Sequence, residues 1–185
     1  MAILGARVRR VAVIATVVTL LAPTPATPQS DAALEANVKA VFLYNFAKYV
    51  TWPAVAMRER SPGEIRICVT QDNAFFGVLR TAVQGENVEG KPLLAVALDG
   101  LDEARHCQIL YVGDARTADA RAWFNAVRSS QVLTVADGAV DDEPVIAFVR
   151  DQRRIRFDIN RAAAGRHSLN VSSKLLRLAR QVREP

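Results

Sequence analysis

IRICVTQDNAFFGVLRTAV, Ile65 to Val83, decides the fold. Ile65 to Thr70 is a short apolar run and reads as a core strand, and Asn73 to Val83 reads as a helix. After a turn at Gly85 to Gly90, Lys91 to Leu98 (KPLLAVAL) reads as the next strand. Gln108 to Val112 (QILYV) is another, ending at Gly113-Asp114. Thr117 is placed to cap a helix in which Ala120, Trp123, Phe124 and Val127 share a face. Val132 to Val135 is a further buried strand. Strands that alternate with helices in this way predict a largely parallel sheet with helices on its faces.

Toward the amino terminus, Leu34 to Val50 (LEANVKAVFLYNFAKYV) has helical spacing. One apolar stripe runs through Leu34, Val38, Val41, Phe42, Asn45 and Tyr49. A second runs through Ala40, Leu43, Ala47 and Val50. A helix apolar on nearly every side is expected to be buried. Trp52-Pro53 ends it, and Ser61-Pro62-Gly63 is a turn.

Toward the carboxyl terminus, Val145 to Val149 and Arg154 to Asn160 (RIRFDIN) are spaced as an antiparallel hairpin joined by Arg150 to Arg153. Ile155, Phe157 and Ile159 alternate with Arg154, Arg156, Asp158 and Asn160, the pattern of a strand with one wet face. Ser172 or Ser173 caps a last helix, with Leu175, Leu178, Ala179 and Val182 on one face and Arg177, Arg180 and Arg183 outside. The expected fold is α/β: a single compact domain with a mixed, mostly parallel sheet flanked by helices, a C-terminal antiparallel hairpin and a final helix.

The first thirty residues differ in character. Arg7, Arg9 and Arg10 precede a short apolar core, Val11 to Ala22, and then small and turn-forming residues. That run is too short to span a bilayer and suits a signal peptide cleaved near residues 26–30, leaving 31–185 as the domain. The formal charge of +5 shrinks when the segment leaves: 24 basic groups less three arginines, against 19 acidic groups, give +2. That balance is no nucleic-acid footprint, and no other stretch suggests membrane insertion. The expected location is the periplasm. In an oxidising space the two cysteines, Cys68 and Cys107, are expected to form a disulfide.

Signals for catalysis are sparse, and no enzyme activity, cofactor or metal is expected. His106 and His167 are the two side chains suited to proton transfer near neutral pH. His106 precedes Cys107, but strand neighbours point to opposite faces and a disulfide would consume the thiol. His167 lies in a Gly-Arg-His-Ser loop and is expected to be exposed. Gly85 to Pro92 (GENVEGKP) follows the phosphate-loop pattern up to Lys91, but Pro92 stands where Ser or Thr must hold magnesium, and the run precedes a strand. Asp137, Asp141, Asp142 and Glu143 fit no calcium-loop spacing and read as a solvated loop. The arginines of the last helix read as a solvated face.

Six motifs in order carry a resemblance: KAVFLYNFAKYVTWP, IRICVTQDNAFFGVL, GKPLLAV, CQILYVGD, VLTVAD, and RIRFDINRAA with LNVSSKLLRLARQV. The chain resembles the YfiR family of bacterial periplasmic proteins across essentially all of 31–185. The resemblance implies a regulator that binds the periplasmic portion of an inner-membrane diguanylate cyclase, YfiN-like, and holds it inactive. Relief would raise cyclic di-GMP and favour biofilm growth. It also implies a YfiB-like lipoprotein as a second partner, a homodimer, and a competence that depends on oxidation state. In that frame Cys68–Cys107 is a staple.

Two departures stand out. Asp142-Glu143-Pro144 replaces the Gly-Gly pair of many relatives, and a second cysteine pair found in some is missing. Phe148 sits at a position resembling the family's partner-contacting aromatic, and core burial is the equal alternative. Arg154, Arg156 and Asp158 complete the candidate partner surface. A periplasmic small-molecule carrier is the competing reading. It predicts a pocket of about 300 Å³ or more with convergent polar groups.

Overall fold

The computed structural model describes residues 31–54, 57, 63–70, 73–140 and 142–184. The expected signal peptide, Ser61 and Pro62 of the expected turn, and Asp141 of the acidic group lie outside the described residues.

Helix α1 (Asp31–Tyr49) leads into β1 (Val50–Thr51). Then come β2 (Ile65–Thr70), α2 (Asn73–Val83), β3 (Asn87–Val88) and β4 (Lys91–Leu98). A 3-10 turn (Leu101–His106), β5 (Ile109–Asp114), α3 (Ala118–Val127) and β6 (Leu133–Asp137) follow. The chain closes with β7 (Ile146–Asp151), β8 (Arg154–Asn160), α4 (Arg161–Arg166), β9 (Asn170–Val171), α5 (Ser173–Leu178) and β10 (Gln181–Arg183). The main sheet has eight strands in the order β10-β8-β7-β6-β5-β2-β4-β3.

The centre of that sheet is parallel: β2 pairs with β4 on one side and β5 on the other, and β6 and β7 continue the run. Strands covered on both faces read as unbroken apolar runs, which is why IRICVT and ILYV are so legible. Ile65, Ile67 and Val69 join one core with Ile109, Tyr111, Leu133 and Val135. Cys68, Leu110, Val112 and Ala136 join the second, under Trp123, Phe124 and Val127 of α3. Thr117 caps α3 as expected, its hydroxyl accepting from the Ala120 amide at 3.0 Å.

The connection from β6 to β7 has no helix, although parallel neighbours ordinarily need a longer crossover. The register explains this. Ile146 lies beside Val135, so the chain doubles back by only two residues of strand, about 7 Å. A bridge between Val140 and Glu143 folds the loop tightly enough to make that return. The hairpin of β7 and β8 is antiparallel as expected, and its turn narrows to Gln152 and Arg153. No glycine is there, and Gln152 adopts the left-handed φ of 54° instead.

Four expectations need correction. Helix α1 is not buried all round: Ala40, Leu43, Phe46 and Ala47 form its core face, while Leu34 is 56% and Val41 52% exposed. The sheet can cover only one side of it, and the apolar stripe through Leu34, Val38 and Val41 faces outward or lies at the margin. The last helix stops at Leu178, and Gln181 to Arg183 become an edge strand parallel to β8. The open hydrogen-bonding edge of β8 outweighs helix continuation, and the Arg180 amide bonds the Phe157 carbonyl at 2.8 Å. His167 is buried, only 1% exposed, and α4 precedes it where a loop was expected. Glu143, expected in a solvated loop, carries a largely buried carboxylate.

Candidate partner-binding surface

The second hydrophobic cluster ends at Ala136. Beyond it the same sheet face carries Val149 and Asp151 on β7 and Arg154, Arg156 and Asp158 on β8, all exposed or half-buried. The expected alternation holds as far as Asp158: Phe157 and Ile159 enter the core with half-buried Ile155 packed against it and the charged positions stay wet, whereas Asn160, expected on the wet face, is buried because its side chain caps α4. Asp158 is tied to Arg180 by two hydrogen bonds, 2.9 and 2.5 Å, so β8 and the residue before β10 share a bidentate ion pair. Arg154 and Arg156 have no ion-pair partner among the described residues.

Phe148 takes the other side of β7. It is 3% exposed, with its ring centroid 5.9 Å from those of both Phe42 and Phe46 and 6.3 Å from that of Tyr111. Of the two readings open for it, this burial is that of a core ring. Its side chain stands apart from Arg154, Arg156 and Asp158, which line the opposite face.

Cys68 and Cys107 are bonded, with Cα atoms 5.9 Å apart. The bond joins the middle of β2 to the residue that ends the 3-10 turn. Gly85 precedes β3 and Gly90 sits in the β3–β4 turn, both with positive φ, so the phosphate-loop lookalike is a pair of turns around a short strand. Among the described residues no group of three His, Cys, Asp or Glu side chains is placed to hold a metal ion. Nor is any helix among them long and apolar enough to cross a membrane.

The YfiR/HmsC-like family model matches residues 36–180, from the second turn of α1 to the residue before β10. The chain belongs to the YfiR/HmsC-like family. That family is one of periplasmic regulators of cyclic di-GMP signalling, regulatory and not catalytic in character.

In this YfiR/HmsC-like domain, Asp142-Glu143-Pro144 holds a network that sequence reasoning missed. His167 donates from Nδ1 to the Ser130 carbonyl at 2.7 Å, since a carbonyl can only accept. Its Nε2 lies 3.2 Å from Glu143 Oε1. Glu143 Oε2 accepts from the Thr134 hydroxyl at 2.8 Å, and that hydroxyl accepts from the Val145 amide at 3.0 Å. The Arg166 guanidinium is 3.5 Å from Oε1. A legible signal did exist. Asn160 followed by RAAAGR is a capping pattern, and its side chain accepts from the Ala163 amide at 3.0 Å.

Burial works against the charge of Glu143. Hydrogen bonds from His167 and Thr134 and the charges of His167 and Arg166 outweigh it and hold the pKa below the usual carboxylate value. A carboxyl with a lowered folded pKa contributes stability above its unfolded pKa and loses it as pH falls through the folded one. Glu143→Gln is therefore expected to cost about 2 kcal/mol at pH 7. It should also flatten the fall in stability below about pH 4.5. Urea denaturation from pH 7 to 3 checks both, and an unchanged acid slope would remove the carboxylate from this role.

Proposed function

We propose that the chain is exported by residues 1–30 and cleaved near 26–30. In the periplasm it would bind the periplasmic portion of a YfiN-like inner-membrane diguanylate cyclase and repress it. Cyclic di-GMP and biofilm formation would fall in consequence. The observation that carries this reading is the family match over 36–180. The wet face of β8, with Arg154, Arg156 and Asp158, is the contact surface in this reading. Side chains that protrude from a rigid sheet reach a partner without any change of fold. Homodimerisation and sequestration by a YfiB-like lipoprotein complete the proposal. Phe148 contributes as the ring that backs the sheet.

The carrier reading is favoured by one observation. A cavity of about 710 Å³ opens at the carboxyl ends of β5 and β6, where α/β sheets commonly take ligands. Its charges are already matched: Lys39 with Asp137, Arg116 with Asp114, Arg150 with Glu35, and Arg180 with Asp158. One buried acceptor, Asp137 Oδ1, is left without a hydrogen-bond partner, but the paired charges leave no net charge for a ligand to match, so the regulatory reading ranks first.

Deleting the gene in its host is expected to raise cellular cyclic di-GMP. The wild-type gene should restore the lower level, and Arg156→Glu should restore it poorly while accumulating in the periplasm. Cyclic di-GMP that does not respond to the deletion would end the cyclase reading.

A further inference from the structure

The hairpin tip and the start of α1 enclose a groove of about 580 Å³. Its apolar part is Leu34, Val38 and Ile155, and its rim is Arg150, Arg153 and Arg154. Between residues 150 and 156 the hairpin carries four arginines and one aspartate. Glu35 and Asp31 also line the groove, but Glu35 is engaged by both Lys39 and Arg150. Arg153 and Arg154 have no ion-pair partner among the described residues, and both are exposed.

We infer that this groove docks an acidic segment of the partner protein, one that seats a single apolar side chain against Leu34 and places carboxylates on Arg153 and Arg154. The inference rests on the reading of the chain as a regulator that works by binding a protein. Three observations favour that occupant. The rim is cationic and made of arginine, whose planar guanidinium takes a carboxylate with two parallel hydrogen bonds. An apolar centre ringed by polar groups is the composition of an interface anchor site. The groove is also held in shape before binding. Lys39 bonds Asp137 at 2.7 Å, and Arg150 bonds Glu35, so the first turns of α1 are fixed to the carboxyl end of the sheet. A site already ordered loses less entropy on association.

The test places a photoreactive benzophenone side chain at position 34 of the full-length protein expressed in its host. Mass spectrometry then identifies the crosslinked peptide. The expected result is one peptide of a membrane protein's periplasmic portion, rich in Asp and Glu. Its yield should fall about tenfold or more when Arg153→Glu and Arg154→Glu are added. A crosslink to a peptide without acidic excess, or one that survives the double reversal, overturns the inference. So does the absence of any protein crosslink, or arginine-dependent pelleting with phosphatidylglycerol vesicles in place of protein capture. An acidic crosslinked peptide from a protein that is not a cyclase keeps the groove and ends the cyclase reading. A cyclase crosslinked only from position 156 does the reverse.

Discussion

Replacing Cys68 and Cys107 together by alanine is expected to lower stability by about 4 kcal/mol, the chain-entropy value for a crosslink of 39 residues. The loop it closes contains α2, β3 and β4, almost everything on one flank of the sheet. Both sulfurs lie in the second core beside Leu110 and Val112, so the substitution also removes buried contacts. For a domain of this size the melting temperature should drop by roughly 10 °C. Reduction of the wild-type protein should give a similar drop in scanning calorimetry. A loss below about 1 kcal/mol would mean that the staple constrains little. Two strands, β5 and β6, separate β2 from the β7–β8 hairpin, which carries a second expectation, opposed to the oxidation-dependent competence that the resemblance implies: the reduced but folded protein should still bind a partner at that hairpin at low temperature.

Phe148→Asp should prevent folding altogether. Truncating a buried phenylalanine costs about 3–5 kcal/mol, and a carboxylate without a partner in that space adds more. The rings of Phe42 and Phe46, which pack on α1's side of the sheet, would lose their common neighbour. Loss of repression in that variant would report on unfolding rather than on partner contact. Phe148→Leu separates the two. It should fold at a cost of about 1–2 kcal/mol and repress nearly as wild type does. A folded Phe148→Leu protein that fails to repress would return the ring to the partner surface. Circular dichroism beside the cyclic di-GMP assay reads both quantities.

The central strands were legible because burial on two faces leaves an unmistakable run of apolar residues, and β8 because burial on one face leaves strict alternation. Helix α1 was legible as a helix but not in its orientation. Both of its stripes are apolar, and the choice between them is made by distant residues. Lys39 is buried because Asp137, on β6, is there to receive it. The same non-local logic hid β10, whose three residues continue a helical pattern until the edge of β8 recruits them. It hid His167 as well, since neither the Ser130 carbonyl nor Glu143 is near it in sequence. The candidate partner surface was half legible: the charges of β8 were readable from alternation, while the groove needs α1 and the hairpin to meet.

Helix α1 rests its aromatic residues on Phe148 and Phe157, and β1 at its end pairs with β9. Helix α1 packs on the early helix α2 as well, but this part of its surface meets its neighbours only when the last third of the chain has been made. Contacts of such high sequence separation are expected to close late in folding, after the nearer pairings of β2, α2 and β4. If the chain is exported as proposed, a translocation channel would receive it before those contacts close.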